Sequence, residues 1–326
     1  MPATCSTAWA DHAARLAGVP VLDVAVGGRG GNNRLWRVST ADGRRLALKT
    51  YPRVAGDGRD RLGAEVAALT FLAQNDIGPA PRLLAADRAH DEELMSWVEG
   101  AAPGPATAAL VDQMAAFAAR LHAARRAPGA QALGWASEAC VSAAALLEQV
   151  ETRLARLRGV ADAHPGLAAL LDDAARLRDQ AAPAARAAPP LDPAARTLSP
   201  ADFGLHNALL GADGRLVFLD FEYFGWDDPV KLVAELPLHP AMDLGADLAA
   251  RWRAALAPVY EEEPGFGRRL AAFAPLFAVR WALIVLNEFL PERWARRQAA
   301  GETDAQAARA RQLAKARALL AKGATP

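Results

Sequence analysis

The alternation of apolar and polar positions divides the chain into a strand-rich first hundred residues and a helical remainder. Residues 7–17 carry a helical period and predict a short leading helix. Positions 21–26 then read as a strand, 27–33 as a Gly-rich turn and 34–38 as the returning strand. The Ala-Asp-Gly at 41–43 turns into a third strand over 45–51, so three strands joined by tight turns predict an antiparallel meander. Over 60–74, Glu65, Leu69 and Leu72 fall on one face of a helix. Pro79 and Pro81 close that region, and two further strands are expected over 82–86 and 92–98.

The Gly/Pro cluster at 100–105 punctuates the pattern and sets the expected domain boundary, 1–100 against 101–326. Beyond it the period is helical, with helices predicted over 106–126, 137–158, 166–187, 229–236, 246–260, 267–290 and 303–322. The Ala/Pro-rich stretch 181–193 is read as closing one helix and linking it to a following strand. There is no tandem repeat.

Composition narrows the function classes. The 37 basic residues balance 37 acidic ones, which removes the electrostatic case for a nucleic-acid or anionic-membrane partner. Only two cysteines occur, Cys5 and Cys140, without paired spacing, so neither a disulfide framework nor a structural zinc site is expected. The start of the chain lacks a basic segment followed by an apolar run. The most apolar stretch, 273–290, is broken by Arg280 and Asn287, short of the roughly 20 residues that span a bilayer. The expectation is a cytoplasmic protein with no membrane and no nucleic-acid partner. Its oligomeric state is left open.

The candidate chemistry gathers at 198–223. Asp202 and Asn207 sit five positions apart on a polar, Gly-containing loop. A short apolar strand, a turn at 212–214 and a second strand follow, ending in the acids Asp220 and Glu222. One carboxylate orienting a hydroxyl, with an amide oxygen and a second carboxylate holding magnesium, suits phosphoryl transfer. Upstream, Gly27, Gly28, Gly30 and Gly31 with Asn32 and Asn33 lie between two strands, where successive N–H groups can cradle a phosphate; an ordinary glycine-rich hairpin would read the same way. No Lys-Ser/Thr pair follows, so this is not a Walker A loop. Lys49 in an apolar strand calls for a carboxylate or phosphate partner, with Glu65 the candidate; a strand-end lysine whose ammonium reaches water would read the same way.

The Asp-x4-Asn spacing, hairpin and following Asp resemble the catalytic and metal-binding segments of protein-kinase-like enzymes. The closer similarity is to the aminoglycoside phosphotransferase and choline/ethanolamine kinase superfamily, whose choline kinases carry a similar Asp-Phe-Glu-Tyr. The resemblance covers nearly the whole chain in motif order. It implies an α+β, protein-kinase-like two-lobed fold, with a five-stranded antiparallel N-lobe sheet plus one helix and a mostly helical C-lobe. ATP and Mg2+ would bind between the lobes, and a small-molecule hydroxyl would accept the γ-phosphoryl group.

In that resemblance Asp202 is the base or orienter, Asn207, Asp220 and Glu222 hold metal, Lys49 clamps phosphates, and Glu65 positions Lys49. Met95, Ser96 and Val98 take the position of the hinge that meets the base, although an apolar strand ending in a turn would look alike. The superfamily usually begins its loop His-Gly-Asp, whereas Pro200-Ala201-Asp202 stands here. His206 is read as a structural histidine bonded to backbone. Asp228 before Pro229 is read as a helix N-cap. Counting as in choline kinases places Glu235 and Tyr223 around a substrate ammonium, with Trp281 and Glu288 as further wall. An amino alcohol or an aminoglycoside-like amine is therefore the first acceptor, a neutral sugar the alternative. The rival from another class is a non-catalytic nucleotide-binding or scaffolding protein.

Overall fold

The structure, a computed structural model, describes residues 4–29, 33–53, 58–299 and 301–324. Gly30, Gly31 and Asn32 of the Gly-rich turn lie outside the described residues. The chain divides into two compact units, each assembled from three segments: 1–104, 116–137 and 198–226 form the first, and 105–115, 138–197 and 227–326 the second.

The first unit opens with α1 (Thr4–Ala17), followed by β1 (Val21–Arg29), β2 (Arg34–Thr40), β3 (Arg45–Thr50), α2 (Arg61–Gln74), β4 (Leu83–Asp87) and β5 (Glu92–Ser96). The five strands form one antiparallel sheet in the order β1-β2-β3-β5-β4. Because side chains alternate across a pleat, the register assigns its two faces. Val24, Trp36, Val38, Leu46, Leu48 and Leu94 share one apolar cluster with Ala13 of α1. His12 on Glu92 (2.7 Å) and Arg15 on Asp87 tie the helix to that face. Ala47, Lys49, Glu93 and Met95 fall on the opposite face, Lys49 directly across from Glu93.

Two expectations shift here. β1 runs on to Arg29, because Gly28 pairs with Leu35 and Arg29 with Arg34. The glycines serve that pairing: a Cβ on Gly27 would lie 3.1 Å from the Arg37 nitrogen and 3.2 Å from Trp97. α2 begins at Arg61, because the Asp60 carboxylate caps it by accepting from the Gly63 N–H at 2.8 Å.

α3 (Ala108–Ala123) carries Phe117, which stacks on Phe218 at 4.4 Å and neighbours Phe203 and Phe221 at 6.0 and 6.3 Å. Phe203, Phe218 and Phe221 belong to the stretch 197–227, which holds β6 (Thr197–Ser199), β7 (Ala208–Leu210), β8 (Leu216–Phe218) and β9 (Gly225–Asp227). β7 and β8 form a hairpin, and β6 pairs with β9. Gly225 permits backbone packing that no side chain would: its Cβ would come within 2.4 Å of Gly134, Trp135 and Ala136 backbone atoms.

The second unit is helical: α4 (Ala143–Ala161), α5 (Pro165–Ala187), α6 (Pro229–Glu235), α7 (Ala246–Tyr260), α8 (Phe266–Val285), α9 (Pro291–Ala299) and α10 (Ala305–Ala324). α8 is central, packing on α4, α5, α6 and α10. The stretch Phe266–Phe289 is long and apolar enough to cross a membrane, but half of it is buried within the protein. It also holds Arg269 and Arg280 buried in ion pairs, which marks it as a core helix. α8 stops at Val285 and tightens into a 3-10 turn, Leu286–Phe289, instead of continuing to 290. α9 was not predicted. α4 starts later than expected, at the Ser142 cap, whose hydroxyl accepts from the Ala145 N–H.

Candidate active site

The first unit brings together a lysine and four acids that are remote in sequence. Lys49 is 4% exposed. Its Nζ donates to Glu65 Oε2 at 2.5 Å and Asp220 Oδ1 at 2.6 Å, with Glu222 Oε2 at 4.0 Å. Burial alone would lower the lysine pKa, but Glu65, Asp220, Glu93 and Glu222 outweigh it and hold the ammonium firmly charged. Glu65 also accepts from the Phe221 N–H at 3.3 Å, which fastens α2 to the acidic segment.

Asp220 follows the β7–β8 hairpin in the left-handed region, φ 64°, a conformation that costs a non-glycine residue about 1–3 kcal/mol. Asn33 reaches the same acids, donating to Glu222 Oε2 at 3.1 Å and Asp220 Oδ1 at 3.4 Å. Burial raises the Glu222 carboxyl, and the neighbouring Asp220 charge adds to the shift. One ammonium among so many carboxylates leaves an excess of negative charge, and Glu65, Asp220 and Glu222 can converge on one ion.

The loop at 200–207 supplies the remaining groups. Asn207 donates its amide nitrogen to the Asp202 carbonyl at 2.9 Å, and its own carbonyl accepts from the Leu219 N–H at 2.8 Å. With the nitrogen committed, the amide oxygen is the atom left to serve as a ligand. Asn207, Asp220 and Glu222 each offer an oxygen, the donor type that suits Mg2+, and they are the residues that could hold such an ion. Asp202 is half-exposed, and its Oδ1 lies 3.0 Å from His206 Nε2. His206, read from the sequence as a structural histidine, thus lies against the Asp202 carboxylate. Ala201 adopts φ 62° where the superfamily pattern has glycine, so the departure noted in the sequence falls at a strained position.

Other predicted residues are placed as follows. Gly28 is within β1. Met95 is buried on the Lys49 face of the sheet, Ser96 ends β5 with its hydroxyl accepting from the Arg82 N–H, and Val98 is half-buried. Tyr223 hydrogen-bonds Glu222, and the Arg59 guanidinium lies 5.2 Å from its ring centroid, so the chain supplies its own cation to that ring.

In the second unit, Asp228 caps α6 as expected, accepting from the Val230 N–H at 3.0 Å, and pairs with Arg269 at 2.8 Å. Glu235, aimed by the sequence at a substrate ammonium, is instead buried against Arg280, which also holds Glu138. Gln149 completes the guanidinium's partners at 2.9 Å. Trp281 and Glu288 do not share a helix face, because α8 ends between them. Trp281 meets the His239 ring, while Glu288 accepts from Gln312 at 2.9 Å and pairs with Arg297 at 3.0 Å.

Sequence reasoning missed Tyr51 and Glu93, both buried beside Glu65. The available signal was a glutamate within the apolar strand pattern, opposite Lys49 once the register is known. The Arg280 network carried no such signal, since its members are scattered over 138–280.

A family model for phosphotransferase enzymes matches residues 23–273. The chain belongs to this phosphotransferase enzyme family. The fold agrees with solved structures along almost the full length. A choline kinase from Streptococcus pneumoniae superposes with TM-score 0.62 and 16% identity, covering 97% of this chain and 98% of its own. A spectinomycin phosphotransferase in complex with ADP and spectinomycin gives 0.60 and 11%, covering 98% of each chain. An aminoglycoside phosphotransferase from Alicyclobacillus acidocaldarius gives 0.58 and 15%, covering 99% and 95%. No curated protein matches by sequence. The phosphotransferase therefore has the expected α+β, kinase-like fold, with a five-stranded antiparallel sheet and a mostly helical remainder.

Proposed function

We propose that this phosphotransferase is a cytoplasmic small-molecule kinase that transfers the γ-phosphoryl group of Mg-ATP to an alcohol hydroxyl. The observation that carries the reading is the buried Lys49 ammonium held between Glu65 and Asp220. In this reading residues 1–100 form the nucleotide lobe, with Gly28, Gly30, Gly31, Asn32 and Asn33 near the phosphates and Met95, Ser96 and Val98 at the base. Residues 101–326 form the lobe that takes the acceptor. Lys49 meets phosphate oxygens and Glu65 fixes its direction. Asn207, Asp220 and Glu222 hold Mg2+, which supplies charge neutralisation on the phosphates when bound. Asp202, steadied by His206, accepts the acceptor's hydroxyl proton and aims its oxygen. Catalysis by this chain is then positioning and electrostatic stabilisation.

The acceptor is either an amino alcohol or aminoglycoside-like amine, or a neutral sugar. For an amine, Glu235 and Tyr223 would have to exchange Arg280 and Arg59 for the substrate cation. A neutral polyol leaves both pairs intact, and the Arg280–Glu235 ion pair favours this second reading.

Product formation from Mg-ATP over choline, ethanolamine, aminoglycosides, homoserine and neutral sugars tests the proposal, with Asp202→Asn as the partner variant. Asp202→Asn is expected to lose turnover by roughly 10²–10⁴-fold while retaining nucleotide binding. Equal turnover by both proteins would refute the role of Asp202. Nucleotide binding without turnover of any acceptor would favour the non-catalytic scaffold.

A further inference from the structure

Behind the Lys49–Glu65 pair lies a second layer of buried groups. The Tyr51 hydroxyl lies 2.6 Å from Glu65 Oε2 and 2.5 Å from Glu93 Oε1. Tyr51, Glu65 and Glu93 are 6%, 1% and 0% exposed, so these contacts are shielded from bulk solvent. A phenol has one proton and can donate to only one of two carboxylates. The other contact requires a carboxylic acid donating into the phenol oxygen.

Two further observations decide which acid carries that proton. Glu65 accepts from the Lys49 ammonium through Oε2 and from the Phe221 N–H through Oε1, the environment of an ionised carboxylate. Glu93, in contrast, has its Oε2 buried without a hydrogen-bond partner among the described residues. A charged carboxylate with an orphaned oxygen in a dry interior is far more costly than a neutral acid there. The groups acting on Glu93 are Lys49 from β3, Tyr51 just after it, Glu65 from α2 and Asp220 after β8. Burial raises its pKa well above the usual carboxylate range, and Glu65 adds to the rise.

We propose that Glu93 is a neutral carboxylic acid donating to the Tyr51 oxygen, and that Tyr51 in turn donates to Glu65 and holds it on Lys49. Tyr51 and Glu93 are then positioning residues for the lysine. Lys49 divides its bonds between Glu65 and Asp220. If Glu65 is loosened, the ammonium is drawn to Asp220 and competes with the metal role given to that acid above. The consequence for nucleotide rests on the kinase reading; the protonation of Glu93 does not.

Infrared difference spectroscopy of the unliganded full chain tests the protonation directly. At about pH 8, where ordinary carboxyls are ionised, the wild type is expected to show a protonated carboxylic acid band. Glu93→Gln should lose it, and Tyr51→Phe should shift it. A wild type with no such band, or a band that survives in Glu93→Gln, overturns the proposal whether or not the protein turns over.

The positioning role is read from nucleotide KM against kcat. Tyr51→Phe and Glu93→Leu are expected to raise KM about tenfold, the effect of one lost charge-assisted hydrogen bond, with a smaller change in kcat. Glu93→Gln, which keeps a neutral donor, should restore KM towards wild type. It also serves where Glu93→Leu fails to fold. Equal KM in Tyr51→Phe and wild type, or a Glu93→Gln as impaired as Glu93→Leu, would overturn the positioning role.

Discussion

Replacing Lys49 by methionine removes the ammonium while keeping most of the side-chain volume. Lys49 lies 2.5 and 2.6 Å from Glu65 and Asp220 and 4.0 Å from Glu222. At an effective dielectric of about 20, a unit pair at 2.5 Å attracts by roughly 6–7 kcal/mol, and desolvating the ammonium returns several kcal/mol of that. Breaking one side of such a buried pair typically costs about 3–5 kcal/mol, because the acids are left without their cation. Against a total stability of about 5–15 kcal/mol this is a large loss.

The pH dependence gives the loss a signature. Lys49 lowers the Glu222 carboxyl against the raising effect of burial and of Asp220, so its removal moves that group further up, while Glu93, neutral in both proteins over this range, adds no slope. An acid whose folded pKa is raised stabilises the fold most below its unfolded pKa, and that contribution fades as pH climbs through the folded value. The gap between wild type and Lys49→Met should therefore be widest near pH 8 and narrow towards about pH 5. Thermal unfolding followed by circular dichroism across this range measures it. A variant within about 1 kcal/mol of wild type at pH 8, or a gap independent of pH, would refute the account of Lys49 as the counter-charge of the acid cluster.

Three further outcomes are expected. Glu235→Gln should destabilise by about 3 kcal/mol in urea titration by leaving Arg280 under-compensated; Glu235→Gln with Arg280→Gln should be less impaired, and additive losses would count against a coupled pair. Asp228 is pushed up to about 6 by burial, with Arg269 opposing, so its stabilising contribution is full below about pH 4 and is lost as pH rises through 6. Unfolding of Asp228→Asn across that window should lack this slope; an unchanged slope would show that Asp228 does not titrate there. Ala201→Gly should hold or raise the melting temperature, since relief of left-handed strain of about 1–2 kcal/mol exceeds the entropy glycine adds; a marked fall in melting temperature would argue against strain at this loop.

The sequence alone determined what depends on neighbours along the chain. The period-2 and helical patterns placed the meander, α2 and most later helices to within a few residues. Asp228 was readable as a cap from its place before proline, because a cap is satisfied by backbone N–H groups two or three residues away. The Asp-x4-Asn hairpin was legible because β7 and β8 are joined by a local turn. Pairing Lys49 with Glu65 was also within reach, since the strand and the helix follow directly in sequence.

What the tertiary structure decided is the state of buried charges, because their partners come from distant segments. Arg280 reaches Glu235 and Glu138, and no local pattern predicts that a carboxylate aimed at a ligand is already neutralised. Trp281 and Glu288 parted because packing ended α8 at Val285, where a continuous apolar period suggested more helix. Tyr51 and Glu93 joined the site only once β3 and β5 were in register, which makes a strand glutamate the neighbour of Lys49. Burial then fixes where protons reside: the cost of an uncompensated charge depends on the whole surrounding shell, and that shell exists only in the folded chain.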